Sequence, residues 1–101
     1  MTTKTIDMNE LEDFDIAAHL DSPETIAAYL TDILESNDPA LLAAALGDIA
    51  RAKGMSEVSK CTGITREALY KALRNNSSPR FETVSKVCSA FGVKLVAQAM
   101  H

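Results

Sequence analysis

GMSEVSKCTGITREALYKAL, residues Gly54 to Leu73, is the stretch that decides the fold. It sets a small residue (Ser59), a glycine (Gly63) and two apolar helix positions (Leu69, Ala72) at the spacing of a helix-turn-helix. Val58 faces inward on the first helix, and Ser59 is small where the second helix crosses it. Gly63 takes the turn, where a left-handed or crowded backbone is cheapest without a Cβ. Ile64 plugs the corner and Thr65 is a natural N-cap. Arg66 to Leu73 then runs as a helix with Leu69, Ala72 and Leu73 inward, which leaves Arg66, Glu67, Tyr70, Lys71 and Arg74 outward. A major groove admits and reads a helix carrying such donors. An ordinary helical hairpin also uses a glycine between amphipathic helices. The Thr65 cap, the outward bases, the basic loop that follows and a further helix behind it weigh for DNA binding.

Working outward, the prolines divide the rest of the chain. All three follow a capping residue, in Ser22-Pro23, Asp38-Pro39 and Ser78-Pro79, which predicts a helix start at each. From Pro23, the residues Ile26, Leu30, Ile33 and Leu34 form one apolar stripe ending at Ser36-Asn37. From Pro39, Leu42, Ala45, Leu46 and Ile49 form a second, closed by Gly54. Pro79 opens a third with Phe81, Val84, Val87, Cys88 and Phe91 inward, closed by Gly92. A short turn of helix over Ile16 to Leu20, anchored by Phe14, precedes them. Thr2 to Glu12 has few apolar anchors, which predicts a flexible segment. In the C-terminal VKLVAQAMH, alternation allows a short strand, whereas Ala, Gln and Met equally allow a helical end. A strand there implies pairing with a second chain. The expected fold is an all-α small helical bundle containing a helix-turn-helix, with this tail as a dimerisation strand in the first alternative.

Three segments follow: a flexible acidic N-terminus (1–13), an acidic helical extension (14–38) and a helix-turn-helix domain with its tail (39–101). The chain's 101 residues, 47% of them hydrophobic, suffice for one core and not two. No stretch approaches the ~20 apolar residues of a membrane span, and the acidic N-terminus lacks the regions of a signal peptide. Both features predict a cytoplasmic protein. Cys61 and Cys88 fall in different helices without metal-ligand spacing, which predicts buried reduced thiols and no metal site.

The net charge of −4 hides two opposite halves. Residues 1–54 hold eleven acids against Lys4, Arg51 and Lys53, a net of −8; residues 55–101 hold seven bases against Glu57, Glu67 and Glu82, a net of +4. A basic half can meet phosphate. An acidic half is repelled by it and suits a basic protein partner instead. Enzymatic function lacks its parts: His19 lies between Asp15 and Asp21, but no nucleophile, second histidine or phosphate loop accompanies it, and no cofactor is implied.

Laid out this far, the chain resembles the antidote (antitoxin) components of bacterial type II toxin-antitoxin modules, in the HigA-like, Cro/repressor-type branch. The resemblance covers about residues 14–96 and is carried by FDIAAHLDSPETIAAYLTDIL, ALGDIARAKGMSEVSKCTGITREALYKAL and SPRFETVSKVCSAFGVKL. It implies binding to a toxin of the RelE/ParE superfamily, a small basic protein encoded alongside, and repression of the shared operon by a homodimer on double-stranded operator DNA. On DNA it implies Ser56 near phosphate at its helix N-terminus, Thr65 capping, and Arg66, Glu67 and Lys71 near base edges. Tyr70 and Arg74 lie on the same face, and Asn75, Asn76 and Arg80 fall near the backbone. On the toxin side it implies Phe14, Ile16 and Leu20 as apolar anchors, with Asp13, Asp15, Asp21 and Glu24 facing basic groups. The alternative is a stand-alone, phage-type helix-turn-helix repressor without a toxin.

Overall fold

A computed structural model describes residues 20–100, and among these the chain forms five helices and no strand. Helix α1 spans Pro23–Glu35. Its start is built from short polar side chains: the Thr25 N–H donates to Ser22 Oγ at 3.2 Å, and the Ser22 N–H donates back to Thr25 Oγ1 at 3.3 Å. Proline at the first position has no N–H that would need an acceptor. The helix stops where Asn37 turns left-handed (φ 57°), and Asp38 at once caps the next helix by accepting from Ala40 N–H at 3.0 Å. That helix, α2, spans Pro39–Lys53 and ends at Gly54 (φ 104°), whose N–H donates to the Ala50 carbonyl at 2.9 Å.

Helix α3 (Met55–Thr62) follows without a loop. Gly63 ends it in the left-handed region (φ 76°), a backbone conformation that side chains with a Cβ rarely adopt. Three residues later α4 begins, spanning Arg66–Ala72, with Thr65 Oγ1 accepting from Ala68 N–H at 3.1 Å. Helix α5 spans Phe81–Ala90. Ile26, Leu30, Leu46, Ile49, Leu69, Leu73, Val87 and Cys88 are fully buried in one core, to which every helix contributes. Helix α3 packs on α2, α4 and α5, while α1 packs on α2. No described polar or charged residue is buried.

Several sequence expectations need correction. Pro79 does not open a helix. Unlike Ser22 and Asp38, Ser78 accepts no capping hydrogen bond from the residues after its proline, and Arg80 is extended (φ −68°, ψ 151°), which interrupts any helix begun at Pro79, so Phe81 begins α5. Phe81 consequently sits at the helix's open end, one turn beyond the core, and is 74% exposed rather than inward. Leu34 occupies the outer edge of the last turn of α1 and is 41% exposed. Cys88 is buried as expected, but Cys61 is exposed, because α3 buries only Met55 and Val58.

The tail over 93–100 takes neither of the two forms allowed for it, being without regular structure. Its alternation nonetheless shows. Val93 and Leu95 pack against the core, whereas Lys94 and Val96 face outward. The helical turn placed over Ile16 to Leu20 and the Phe14 anchor lie outside the described residues, save Leu20, which is not helical and packs against the core.

Candidate nucleic-acid interface and acidic face

The corner between α3 and α4 is held by side chains that the sequence places within a few residues of one another. The Ser59 hydroxyl donates to the Ile64 carbonyl at 2.6 Å, and the Ile64 N–H donates to Thr62 Oγ1 at 3.1 Å. Thr62 in turn donates to the Val58 carbonyl at 2.8 Å. These local hydrogen bonds tie the turn together, and Ile64 packs against the core beneath it. Ser59 is small where the helices meet, as its position suggested, and it also ties the corner by a hydrogen bond that spacing alone did not reveal.

On this corner the outward residues fall where the helical period puts them. Ser56, Thr65, Arg66, Glu67, Tyr70, Lys71, Arg74, Asn75, Asn76 and Arg80 are all exposed. Asn76 is left-handed (φ 67°), a conformation that Asn tolerates better than most residues, and it bends the loop after α4. The ion pairs among the described residues are Arg51 with Asp48 at 2.6 Å and Lys86 with Glu82 at 3.2 Å. Arg66, Lys71, Arg74 and Arg80 thus pair with no described carboxylate and present their charge to solvent. Lys71 and Arg80 also line an open groove of about 630 Å³, between α4, the loop and the start of α5, and Lys86 lines it together with its ion-pair partner Glu82. Sequence reasoning missed Lys86. Its signal was present, since it lies on α5 opposite the stripe of Val84, Val87 and Cys88, but nothing local links it to α4.

The acidic side is arranged differently. Asp13, Phe14, Asp15 and Ile16 lie outside the described residues. Leu20 is half-buried against the core, so it serves the fold, while Asp21 and Glu24 are exposed. Asp32, Glu35 and Asp38 continue the acidic run, and residues 20–38 hold no base. A shallow groove of about 260 Å³ separates α1 from the tail, lined by Ala27, Leu30, Leu34, Glu35, Leu95 and Val96 among others. Leu34 and the 76%-exposed Val96 put apolar surface beside those acids, which the sequence reading did not single out.

Two groups depart from their ordinary ionisation. Burial pushes the Cys88 thiol up to about 11, and the half-buried Tyr29 phenol is raised by desolvation and then by the nearby Asp48 carboxylate. No group of His, Cys, Asp and Glu among the described residues could hold a metal ion, and no described helix is long and apolar enough to cross a membrane.

Among the described residues helices are the only regular structure, with a cationic corner at one place and an acidic helix at another. The chain belongs to the family described as "probable addiction module antidote protein", whose model matches residues 10–99. It is 47% identical over 89 residues to an uncharacterized protein of Haemophilus influenzae, covering 88% of this chain and 92% of that relative. No solved structure matches. The family carries the role of an antidote within an addiction module, and a toxin is the partner that this role implies.

Proposed function

We propose that the chain is a HigA-like antitoxin that neutralises a small basic toxin of the RelE/ParE superfamily by direct binding, and that it represses its own operon by reading operator DNA. In this reading α3, the Gly63 turn and α4 are a helix-turn-helix of the Cro/repressor type, and α4 enters the major groove. Arg66 and Lys71 suit guanine O6 and N7, and Glu67 suits cytosine N4. Asn75, Asn76 and Arg80 hold phosphates beside it. One seven-residue helix offers too few base contacts for specificity, so two copies act together, with recognition helices about 34 Å apart on one face of the duplex. The exposed α5 end and the unpaired tail are the elements available for that pairing. Catalysis has no part in either activity.

The observation that carries the reading is the set of bases on α4 and its loop, exposed without a described acidic partner, on a corner tied by its own hydrogen bonds. The test has two arms. Footprinting on the duplex immediately upstream of this chain's gene is expected to show a protected pseudo-palindrome. Co-purification with the product of the adjacent reading frame is expected to yield a complex. Protection without a complex favours the stand-alone repressor, and a complex without protection removes the DNA role.

A further inference from the structure

Of the chain's four glycines, Gly54, Gly63 and Gly92 sit at positive φ, where the backbone conformation accounts for them. Gly47 does not. It lies inside α2 with an ordinary helical backbone, fully buried, where glycine is the poorest helix former after proline. Space accounts for it instead. A Cβ built on Gly47 would stand 2.5 Å from the Leu73 carbonyl oxygen, 3.3 Å from Arg51 Nη1 and 3.5 Å from Leu73 Cβ. The arginine can swing aside, but the carbonyl is backbone at the C-cap of α4, with its residue buried in the core.

We infer that Gly47 is the seat that sets the tilt of α4 and thereby positions its base-reading side chains; this rests on the DNA-binding reading above. The two ends of α4 are held in different ways. Its entry is tied at the corner by the Ser59 to Ile64 hydrogen bond and the Thr65 cap. Its exit rests on Gly47. Ordinary contact begins near 3.4 Å, so a methyl group at residue 47 displaces the Leu73 carbonyl by about 0.9 Å. With the entry fixed, the displacement tilts α4 about its N-terminus. Arg66, next to the pivot, moves least; Lys71 and Arg74, near the far end, move most. Gly47 touches no nucleic acid in this scheme and acts through Leu73 as a positioning residue.

The test compares wild type, Gly47→Ala and a control, Ile26→Val, which trims a fully buried side chain on α1. Amide spectra without DNA are expected to show shifts at residues 69–77 in Gly47→Ala, with 23–35 unchanged. On the duplex upstream of the gene, Gly47→Ala is expected to lose about tenfold or more in affinity. A base-substituted duplex series should show discrimination lost at the positions sensitive to Lys71→Ala and kept at those sensitive to Arg66→Ala. Ile26→Val should lower the melting temperature without changing base preference. A purely structural role predicts equal losses at all positions and overturns the inference, as do unshifted amides at 69–77. Wild type that protects no sequence overturns the DNA-binding reading and takes this role with it, an outcome distinct from wild-type protection that Gly47→Ala retains in full. Should Gly47→Ala fail to fold, Ser59→Ala frees the opposite end of α4 by removing the hydrogen bond to the Ile64 carbonyl. It is expected to give the reverse pattern, with discrimination lost at the positions sensitive to Arg66→Ala and kept at those sensitive to Lys71→Ala; an even loss overturns the inference.

Discussion

Helices α1 and α4 stand on the same core and are held in opposite ways. Helix α1 has thirteen residues, a complete capping box and proline at its first position, so more of its order is local than in α4, although Ile26 and Leu30 bury it on the core as well. Helix α4 has seven, below the length at which an isolated helix persists in water. Its order comes from outside: the Thr65 cap, the corner beneath Ile64, and the burial of Leu69 and Leu73. The charges they carry divide in the same way. On α1 the acids form a diffuse run over a shallow apolar groove, suited to long-range attraction, while on α4 the exposed donors are set one or two turns apart on a single short helix. A reading surface depends on position to within an ångström and an attracting surface does not, so damage to the fold should fall unequally on the two activities.

The largest expected effect breaks that comparison at its root. Leu69 is fully buried in the middle of α4, and Leu69→Ala should destabilise the protein by about 2–5 kcal/mol through lost transfer energy and a cavity. Urea unfolding followed by circular dichroism measures it. At denaturant concentrations where the variant is still folded, operator binding should already be weaker than wild type. A loss below about 1 kcal/mol would mean that α4 is not anchored by this side chain.

Next come the two kinds of contact expected on the basic face. Arg66→Ala and Lys71→Ala should each cost about 1–3 kcal/mol on the operator and relax the preference for one base pair. Arg80→Ala should weaken binding to all duplexes alike and lower the salt slope by about one. Titrations over a salt series with a base-substituted operator set separate them. Identical, sequence-independent losses for all three would remove Arg66 and Lys71 from the base edges.

The contrast also explains what was legible in the sequence. The α3 to α4 corner could be read because each determinant is local: a left-handed glycine, a threonine cap and inward positions three and four apart. The starts of α1 and α2 could be read for the same reason, from Ser22 and Asp38 before proline. Ser78-Pro79 looks identical on paper, yet no helix starts there, because Arg80 is extended and Ser78 makes no capping hydrogen bond of the kind that Ser22 and Asp38 make. Phe81 was misplaced as a consequence. Lys86 in one groove with Lys71, the exposed Leu34 beside Val96 and the contact of Gly47 with Leu73 each join residues from different elements. Periodicity cannot report them, since it gives the face of a helix and not what that face meets.

A smaller effect tests the local side of the comparison. Thr65→Ala removes the oxygen that accepts from Ala68 N–H and should cost about 1 kcal/mol. Thr65→Ser should restore most of it. Amide exchange is the sharper measurement, because fraying should raise rates in the first turn of α4 before the core responds. Uniform acceleration across all helices would show instead that α4 opens only with the whole molecule.

The smallest effect on DNA, and the one that separates the two surfaces, is expected from removing residues 1–19. This truncation keeps the Ser22 capping box of α1 and the whole corner of α3 and α4, so operator affinity without toxin should stay within about twofold of wild type, shifted if at all toward tighter binding as acidic repulsion of phosphate is removed. Toxin affinity should fall strongly, since Asp13, Phe14, Asp15 and Ile16 go with the segment. Charge reversal at Asp21 and Glu24 in the full-length chain tests the remainder of that surface. It should mainly slow association and reduce its dependence on salt, because exposed charges steer encounter more than they hold the complex. Stopped-flow binding and calorimetry with the adjacent gene's product distinguish the two terms. Truncation that leaves toxin affinity intact would move the interface onto α1 and α2, where Leu34 and Glu35 already face solvent; truncation that abolishes operator binding would mean that the acidic segment supports the reading face rather than standing apart from it.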